Sequence, residues 1–209
     1  MLIVLAKLLA AYLLGSVSGS LVLGRLRGLD VRRHGSGNAG GTNALRVAGW
    51  KFALAVVVID IGKGALAAWI GFDAVAAERV GGEAIALAAA CAFVAVLGHC
   101  WPVFFGFRGG KGAGTAVGGV LVLAPLLVLP MVAVWLAIVL ATRFVGLATV
   151  IAALVLPLLV GLAGLAGWPQ PPAVLAYATA VAALIVFTHR ANLGRLRRGE
   201  EPRIGLHRP

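Results

Sequence analysis

Three short segments concentrate the residue types that bind anions and move protons. The first reads His34-Gly35-Ser36-Gly37-Asn38-Ala39-Gly40-Gly41-Thr42-Asn43-Ala44-Leu45-Arg46. Four glycines within seven residues let the backbone curl until successive N–H groups face an anion. Ser36, Asn38, Thr42 and Asn43 add side-chain donors, and the planar Arg46 guanidinium suits the oxygens of a phosphate or carboxylate. A flexible linker would need only Ser and Gly; two asparagines and an arginine favour an anion site.

The second segment runs from Gly98-His99-Cys100-Trp101-Pro102 through Phe104, Phe105 and Phe107 to Arg108-Gly109-Gly110-Lys111-Gly112-Ala113-Gly114-Thr115. It resembles a nucleotide-binding P-loop only loosely, because Phe105 and Gly112 stand where that motif needs a glycine and a Ser or Thr. What remains is Gly109, Gly110, Lys111 and Gly112 leading into a helix N-terminus expected near Thr115, an arrangement that holds a phosphate. Trp101, Phe104, Phe105 and Phe107 are expected to anchor at the headgroup level of a membrane.

The third segment, His189-Arg190-Ala191-Asn192 onward to Glu200, is rich in arginine. A basic flank after a membrane span accounts for the arginines, but not for His189 and Asn192, which share a face at i and i+3 if the helix continues. On local grounds a functional and a bland role for that pair are equally open. Asp60 and Lys63, also at i and i+3, lie inside an apolar run, where charge is costly, so they are expected to face the helix bundle and pair. They either support the site from below or form a purely structural ion pair.

The elements that position these residues are set by a lipid solvent. With 61% apolar and 12% charged residues and a mean hydropathy of +1.02, the 209-residue chain falls outside the soluble class. Runs of about the length that crosses a bilayer occur at Leu2–Leu23, Phe52–Gly71, Gly82–Leu97, Val145–Ala166 and Ala173–Thr188. Each is expected to be a helix, which satisfies its own backbone in hydrocarbon. Thr115–Leu140 is too long for one span and short for two, and it carries Pro125 and Pro130, so it is read as a tight hairpin of two short helices. The first run is not read as a cleaved signal, since it lacks a strongly basic start. Cys91 and Cys100 have neither metal nor disulfide spacing and are read as small apolar fillers.

Charge sets the expected orientation. Arg25, Arg27, Arg32, Arg33, Arg46 and Lys51 flank the first segment, and Arg190, Arg195, Arg197, Arg198, Arg203 and Arg208 crowd the tail. Arg108, Lys111 and Arg143 occupy two further loops, whereas Phe72–Gly82 sets Asp73 and Glu78 against Arg79. The positive-inside rule then gives an all-α protein of about seven transmembrane helices, N-terminus outside and C-terminus cytoplasmic. With no repeat and no long linker, residues 1–209 are read as a single integral-membrane domain.

At these three segments the sequence resembles the PlsY family, bacterial membrane enzymes that transfer an acyl group from acyl phosphate to glycerol 3-phosphate. Its first motif, Ser-Gly-Asn-x-Gly-x-Thr-Asn with an Arg three residues on, matches Ser36, Gly37, Asn38, Gly40, Thr42, Asn43 and Arg46. Its second matches Gly98, His99, Pro102, Val103, Phe104, Gly109, Gly110, Lys111 and Gly112. Its third matches His189, Arg190, Asn192, Arg195, Leu196, Gly199 and Glu201, or Glu200 with the spacing shifted by one. One departure is Gly146, where the family usually carries a serine; Thr149 lies a turn later, so a hydroxyl is missing or relocated.

The resemblance implies catalytic roles for His189, Asn192, Ser36 and Arg46. It implies binding of substrate phosphate by Gly37, Asn38, Gly40, Thr42, Asn43, Gly109, Gly110, Lys111 and Gly112, with His99, Glu200 and Glu201 in support, while Asp60 and Lys63 are counted as supporting from their place in the second apolar run. No metal or other cofactor, no nucleic acid and no obligate protein partner is expected; the partners are acyl phosphate, glycerol 3-phosphate and membrane lipids. The site is expected to face the cytoplasm from the bacterial inner membrane. Two accounts of the proton stay open: the acceptor's own phosphate, whose second pKa is near that of other phosphomonoesters at about 6, or His189 as general base. The histidine followed five residues later by aspartate, used by other acyltransferases that esterify glycerol 3-phosphate, is absent: Ala39, Phe104 and Gly194 stand at those positions. A transporter of a small organic anion is the other functional class, since glycine breaks and intramembrane charges also mark transport pathways. A transport site would lie near the midplane between related halves, and a mere lipid-binding scaffold would tolerate any basic residue at position 46 or 111.

Overall fold

Apolar runs in lipid become helices, and helices without a hydrophobic drive between them meet where side chains are small. The computed structural model describes residues 1–78 and 83–205, and among these every regular element is helical. Arg79 and Arg208, counted in the charge reading, and Gly82, at the start of one apolar run, lie outside the described residues. Two compact units result, Met1–Pro125 and Leu126–Pro209.

The first unit contains α1 (Leu2–Ser16), α2 (Gly19–Arg25), α3 (Gly41–Gly71), α4 (Ala74–Glu78), α5 (Ala84–Cys100) and α6 (Ala113–Leu123). Glycines bring its helix backbones together. A Cβ on Gly64 of α3 would overlap the Thr115 carbonyl of α6, and one on Gly118 of α6 would overlap the Ile61 carbonyl of α3. Gly15 of α1 meets Ala95 of α5 in the same way, and Gly98 of α5 meets Tyr12 of α1.

Two sequence expectations need correction here. The run Leu2–Leu23 is not one helix: α1 and α2 are bent by 54° about Val17 and Ser18. The backbone groups freed at the bend have buried partners, since Lys63 Nζ donates to Val17 O (2.9 Å) and Gly19 N donates to Asp60 Oδ1 (3.2 Å). Those partners come from a helix distant in sequence, while the only local mark of the break is the Gly and Ser cluster Gly15-Ser16-Val17-Ser18-Gly19-Ser20. Likewise α3 begins before Phe52. It starts at Gly41 and turns at Gly49, whose φ of 79° favours glycine. Thr42, Asn43 and Arg46 therefore stand on a short helical stretch, not in a loop.

The second unit comprises α7 (Val128–Thr142), α8 (Val145–Leu165), α9 (Pro172–Thr188) and α10 (Arg190–Arg197). Helix α8 packs against both α7 and α9, and α10 touches α8 and α9. The ambiguous run Thr115–Leu140 is indeed two helices. Helix α6 ends at Leu123, Pro125 opens a 3-10 turn, and Pro130 falls in the first turn of α7, where its missing N–H has no partner to lose.

Helix α9 does not continue into α10: the two bend by 54° at His189, so the shared helical face for His189 and Asn192 is not formed. Among the described residues, four helices are long and apolar enough to cross a membrane, and up to six if each bent pair is one span. Helix α6, with 11 residues, reaches roughly 16 Å at 1.5 Å per residue, about half the hydrocarbon thickness.

Candidate active site

In the first unit, Asn43 shapes the first glycine-rich segment from inside. Its side chain is buried; Nδ2 donates to Val31 O (2.9 Å) and His34 O (3.0 Å), and Oδ1 accepts from Ser36 N (2.8 Å). Both amide protons are thus engaged by the chain itself. Gly35 and Gly37 make the turns at φ of 61° and 72°, and a Cβ on Gly35 would overlap Asn43 Oδ1. Around this core Ser36 is exposed, Asn38 and Thr42 are half-buried, and Arg46 is exposed one turn into α3. Gly40 caps that helix, with Ala44 N donating to Gly40 O (2.9 Å), and the amides of the first turn have no acceptor within the helix.

The second segment is folded onto its own helix. Gly109 N donates to Cys100 O and Gly110 N to His99 O, each at 3.1 Å, so these two amides are engaged within the chain rather than turned to an anion. Their glycine identity has a packing cause: a Cβ on Gly109 would overlap His99 O, and one on Gly110 would overlap His99 Nε2 and come within 3.0 Å of Ala39 O. Gly110 therefore lies beside the first segment. Helix α6 starts at Ala113, two residues before the expected position, after Gly112 at φ 89°. Lys111 is half-buried between Gly110 and that helix start.

Arg32 joins the two segments, a role the sequence reading missed. Its Nη1 donates to Phe105 O and Arg108 O, both at 3.0 Å, while Nε and Nη2 donate to Asp30 at 3.0 and 2.9 Å. The Arg32 hydrogen bond holds the Asp30 carboxyl down at about 2, and Asp30 in turn raises the Arg32 guanidinium. The available signal was that Asp30 is the only acid between Arg25 and Lys51. Phe105 departs from its expected anchoring role: it is buried, with the Arg25 guanidinium 4.5 Å over its ring. Trp101, Phe104 and Phe107 are exposed as expected.

Beneath the second segment lies a buried polar cluster. Asp60 and Lys63 pair at 3.0 Å as expected, and His99 joins them, its Nδ1 2.9 Å from Lys63 Nζ and 3.4 Å from Asp60 Oδ1. Ser16 and Tyr12 of α1 hold the start of the same segment: Val103 N donates to Ser16 Oγ (3.4 Å), and Tyr12 Oη donates to Trp101 O (2.8 Å).

In the second unit, buried His189 sits at the α9–α10 bend with Nδ1 2.9 Å from Ile185 O. A carbonyl only accepts, so Nδ1 carries the proton of this hydrogen bond. Asn192 Nδ2 donates to Glu201 Oε1 (2.6 Å), and Arg195 Nε donates to Glu201 Oε2 (2.8 Å). Glu201 is thus the buried partner within the third motif, while Glu200 pairs with Arg198 at the exposed surface. Gly146 packs on Asn192, where a Cβ would stand 2.9 Å from Nδ2. The Thr149 hydroxyl does not replace the family serine at this spot, because it donates to Val145 O and accepts from Trp135 Nε1.

Comparison with known proteins adds to this geometry. The family model described as glycerol-3-phosphate acyltransferase matches residues 5–199. The glycerol-3-phosphate acyltransferase of Chlorobaculum parvum is 40% identical over 230 residues, covering 100% of this chain and 99% of the relative. That of Rhizobium etli is 41% identical over 204 residues, covering 97% and 92%. Among solved structures, PlsY, an integral membrane glycerol 3-phosphate acyltransferase, is similar in its glycerol 3-phosphate form with a TM-score of 0.83 and 38% identity, over 97% of this chain and 96% of that one. The lysophosphatidic acid form gives 0.81 at the same identity, over 97% and 95%.

Proposed function

The chain belongs to the glycerol-3-phosphate acyltransferase family, and from that premise we propose that it acylates glycerol 3-phosphate with acyl phosphate as donor. A hydroxyl oxygen of the acceptor attacks the acyl carbon, the bond from that carbon to the phosphate oxygen breaks, and lysophosphatidic acid and inorganic phosphate leave. The observation that carries this reading is full-length similarity to a family member solved in forms with glycerol 3-phosphate and with lysophosphatidic acid. The anion-transporter reading gives way to it.

Acyl phosphate is already activated, so the protein's task is to position two anions and stabilise developing charge. Lys111 and the start of α6 are assigned to the phosphate of glycerol 3-phosphate. Ser36, Gly37, Asn38, Gly40, Thr42 and Arg46, grouped about the first turn of α3, are assigned to the donor's phosphate and carbonyl. Asn43, Gly109 and Gly110 shape the two segments, and His189 and Asn192 act at the reacting groups, Asn192 held by Glu201. The acceptor's phosphate takes the hydroxyl proton, so His189→Ala should slow acyl transfer yet leave a measurable rate. Complete loss in a folded variant with unchanged substrate affinity would instead make His189 the base.

The family match spans both compact units, which supports one acyltransferase domain over residues 1–209. Counting each bent pair as one span and α6 as the short arm of a hairpin gives seven helices, with the N-terminus outside and the three motifs facing the cytoplasm from the inner membrane. Purified protein in lipid, given acyl phosphate and glycerol 3-phosphate, should release inorganic phosphate in step with lysophosphatidic acid. Absence of both products from a folded preparation, with anion uptake into liposomes, would return the transporter reading.

A further inference from the structure

The buried cluster beneath the second segment has more organisation than an ion pair needs. An ammonium has three N–H donors, and those of Lys63 meet three acceptors: Asp60 Oδ1 (3.0 Å), Val17 O (2.9 Å) and His99 Nδ1 (2.9 Å). With Nδ1 accepting, the N–H of the neutral ring sits on Nε2. That is the ring atom against Gly110, where a Cβ would overlap it. The same histidine's carbonyl accepts from Gly110 N, and the carbonyl of the next residue, Cys100, accepts from Gly109 N. Ring and backbone of His99 therefore form the surface on which Gly110 rests, one residue before Lys111.

The bend between α1 and α2 belongs to this arrangement. A continuous first helix would bond Val17 O and Gly19 N internally; the bend turns both onto Lys63 and Asp60. A buried charge left without such partners is costly, so the bend and the cluster require each other. Ser16, at the end of α1, then accepts from Val103 N at the start of the second segment.

We propose that Asp60, Lys63 and His99 are positioning residues: with the bent first span they seat the Gly109–Gly110 backbone and thereby aim Lys111 at the acceptor phosphate. This rests on the assignment of Lys111 to glycerol 3-phosphate made above. A purely structural ion pair would lower stability when broken, without singling out one substrate.

The test uses the full chain reconstituted in lipid, with Lys63→Met made alone and together with Lys111→Ala. Acting through Lys111, Lys63→Met should raise KM for glycerol 3-phosphate about tenfold with kcat within about twofold, and add less than about twofold to KM once Lys111 is gone. Amide exchange at Gly109 and Gly110 should quicken while that of α8 stays unchanged. Equal multiplication of KM in both backgrounds, an unchanged KM, or unchanged exchange would overturn the proposal. Should Lys63→Met fail to fold, His99→Gln keeps an acceptor for Lys63 but removes the ring beneath Gly110, and the same KM-selective loss is expected. Lys111→Ala with wild-type KM would defeat the substrate assignment, and with it the aiming of Lys111; the exchange measurement would then still decide whether the cluster seats the backbone.

Discussion

Glu200 and Glu201 are neighbours of identical chemistry, and only one of them is held in a network. Glu201 is buried and accepts from Asn192 and Arg195 on its two oxygens; Glu200 pairs with Arg198 at the surface. Spacing counts residues and left both positions open, whereas burial and partners separate them. Glu201→Ala would leave two donors without their acceptor, costing about 1–3 kcal/mol, while Glu200→Ala should stay within about 0.5 kcal/mol. Thermal unfolding of the purified variants should separate the two, and equal shifts would refute the assignment. Lys111 and Arg46 each stand near a helix start, so loss of one hydrogen-bonded charge should forfeit roughly 1.5–3 kcal/mol of interaction, about 10- to 150-fold. Lys111→Ala is expected to act mainly on KM for glycerol 3-phosphate and Arg46→Ala on turnover, with Lys111→Arg restoring function incompletely because a planar fork replaces a compact ammonium. Wild-type kinetics for both alanine variants would return these segments to ordinary basic flanks. At this scale residue type and order marked the three polar segments, but not the groups that hold them in shape: Asp30, Arg32 and the inward turn of Asn43 are set by carbonyls and amides of the backbone, which spacing does not disclose.

Elements were legible where length and composition decide and illegible where a distant partner does. The ends of α8 and α9 fall within a residue of the apolar runs, and the prolines mark the division of Thr115–Leu140, because solvent and covalent geometry act locally there. At Val17–Ser18 glycines and serines cluster, but the bend is fixed by side chains of α3 more than 40 residues away, and at His189, just past the last apolar run, neither Gly nor Pro marks the turn from α9 into α10. Helix contacts in the first unit depend on glycines just as remote from each other in sequence. Gly118→Val should therefore push α6 off α3, since even a Cβ overlaps the Ile61 carbonyl, and overpacking of this kind costs about 1–3 kcal/mol or more. Gly161→Ala on α8, where a Cβ meets nothing within 4 Å, should be neutral or stabilising by up to about 1 kcal/mol. Thermal stability of the two variants in detergent checks this, and a Gly118→Val protein as stable as the parent would mean that the close crossing is not formed.

The whole molecule is strongly cationic, with a formal net charge of +11, and the distribution of that charge carries the orientation argument. Translocating a basic loop is disfavoured, so each Arg-rich stretch biases its side of the membrane toward the cytoplasm. The stretches around the first and second segments and the tail all carry this bias, whereas the α3–α5 connection has Asp73 and Glu78. Lys7 does not contradict it: its Nζ donates to Ile70 O (2.7 Å) and pairs with Asp73 (3.2 Å), which places that lysine at the acidic connection. For both segments and the tail to share one side, the stretch containing α6 and α7 must bring the chain back to the side it left, as a hairpin does; a single crossing there would send Arg143 out with the α7–α8 turn and expose the tail. Cysteine replacements at Gly37, Gly110 and Gly194, in a background without Cys91 and Cys100, should all be shielded from an impermeant thiol reagent in intact cells and react after permeabilisation. A cysteine at exposed Val75 should react from outside without permeabilisation. Labelling of position 194 from outside would mean that the chain crosses an odd number of times between Gly110 and the tail, and the seven-helix arrangement would fall with it.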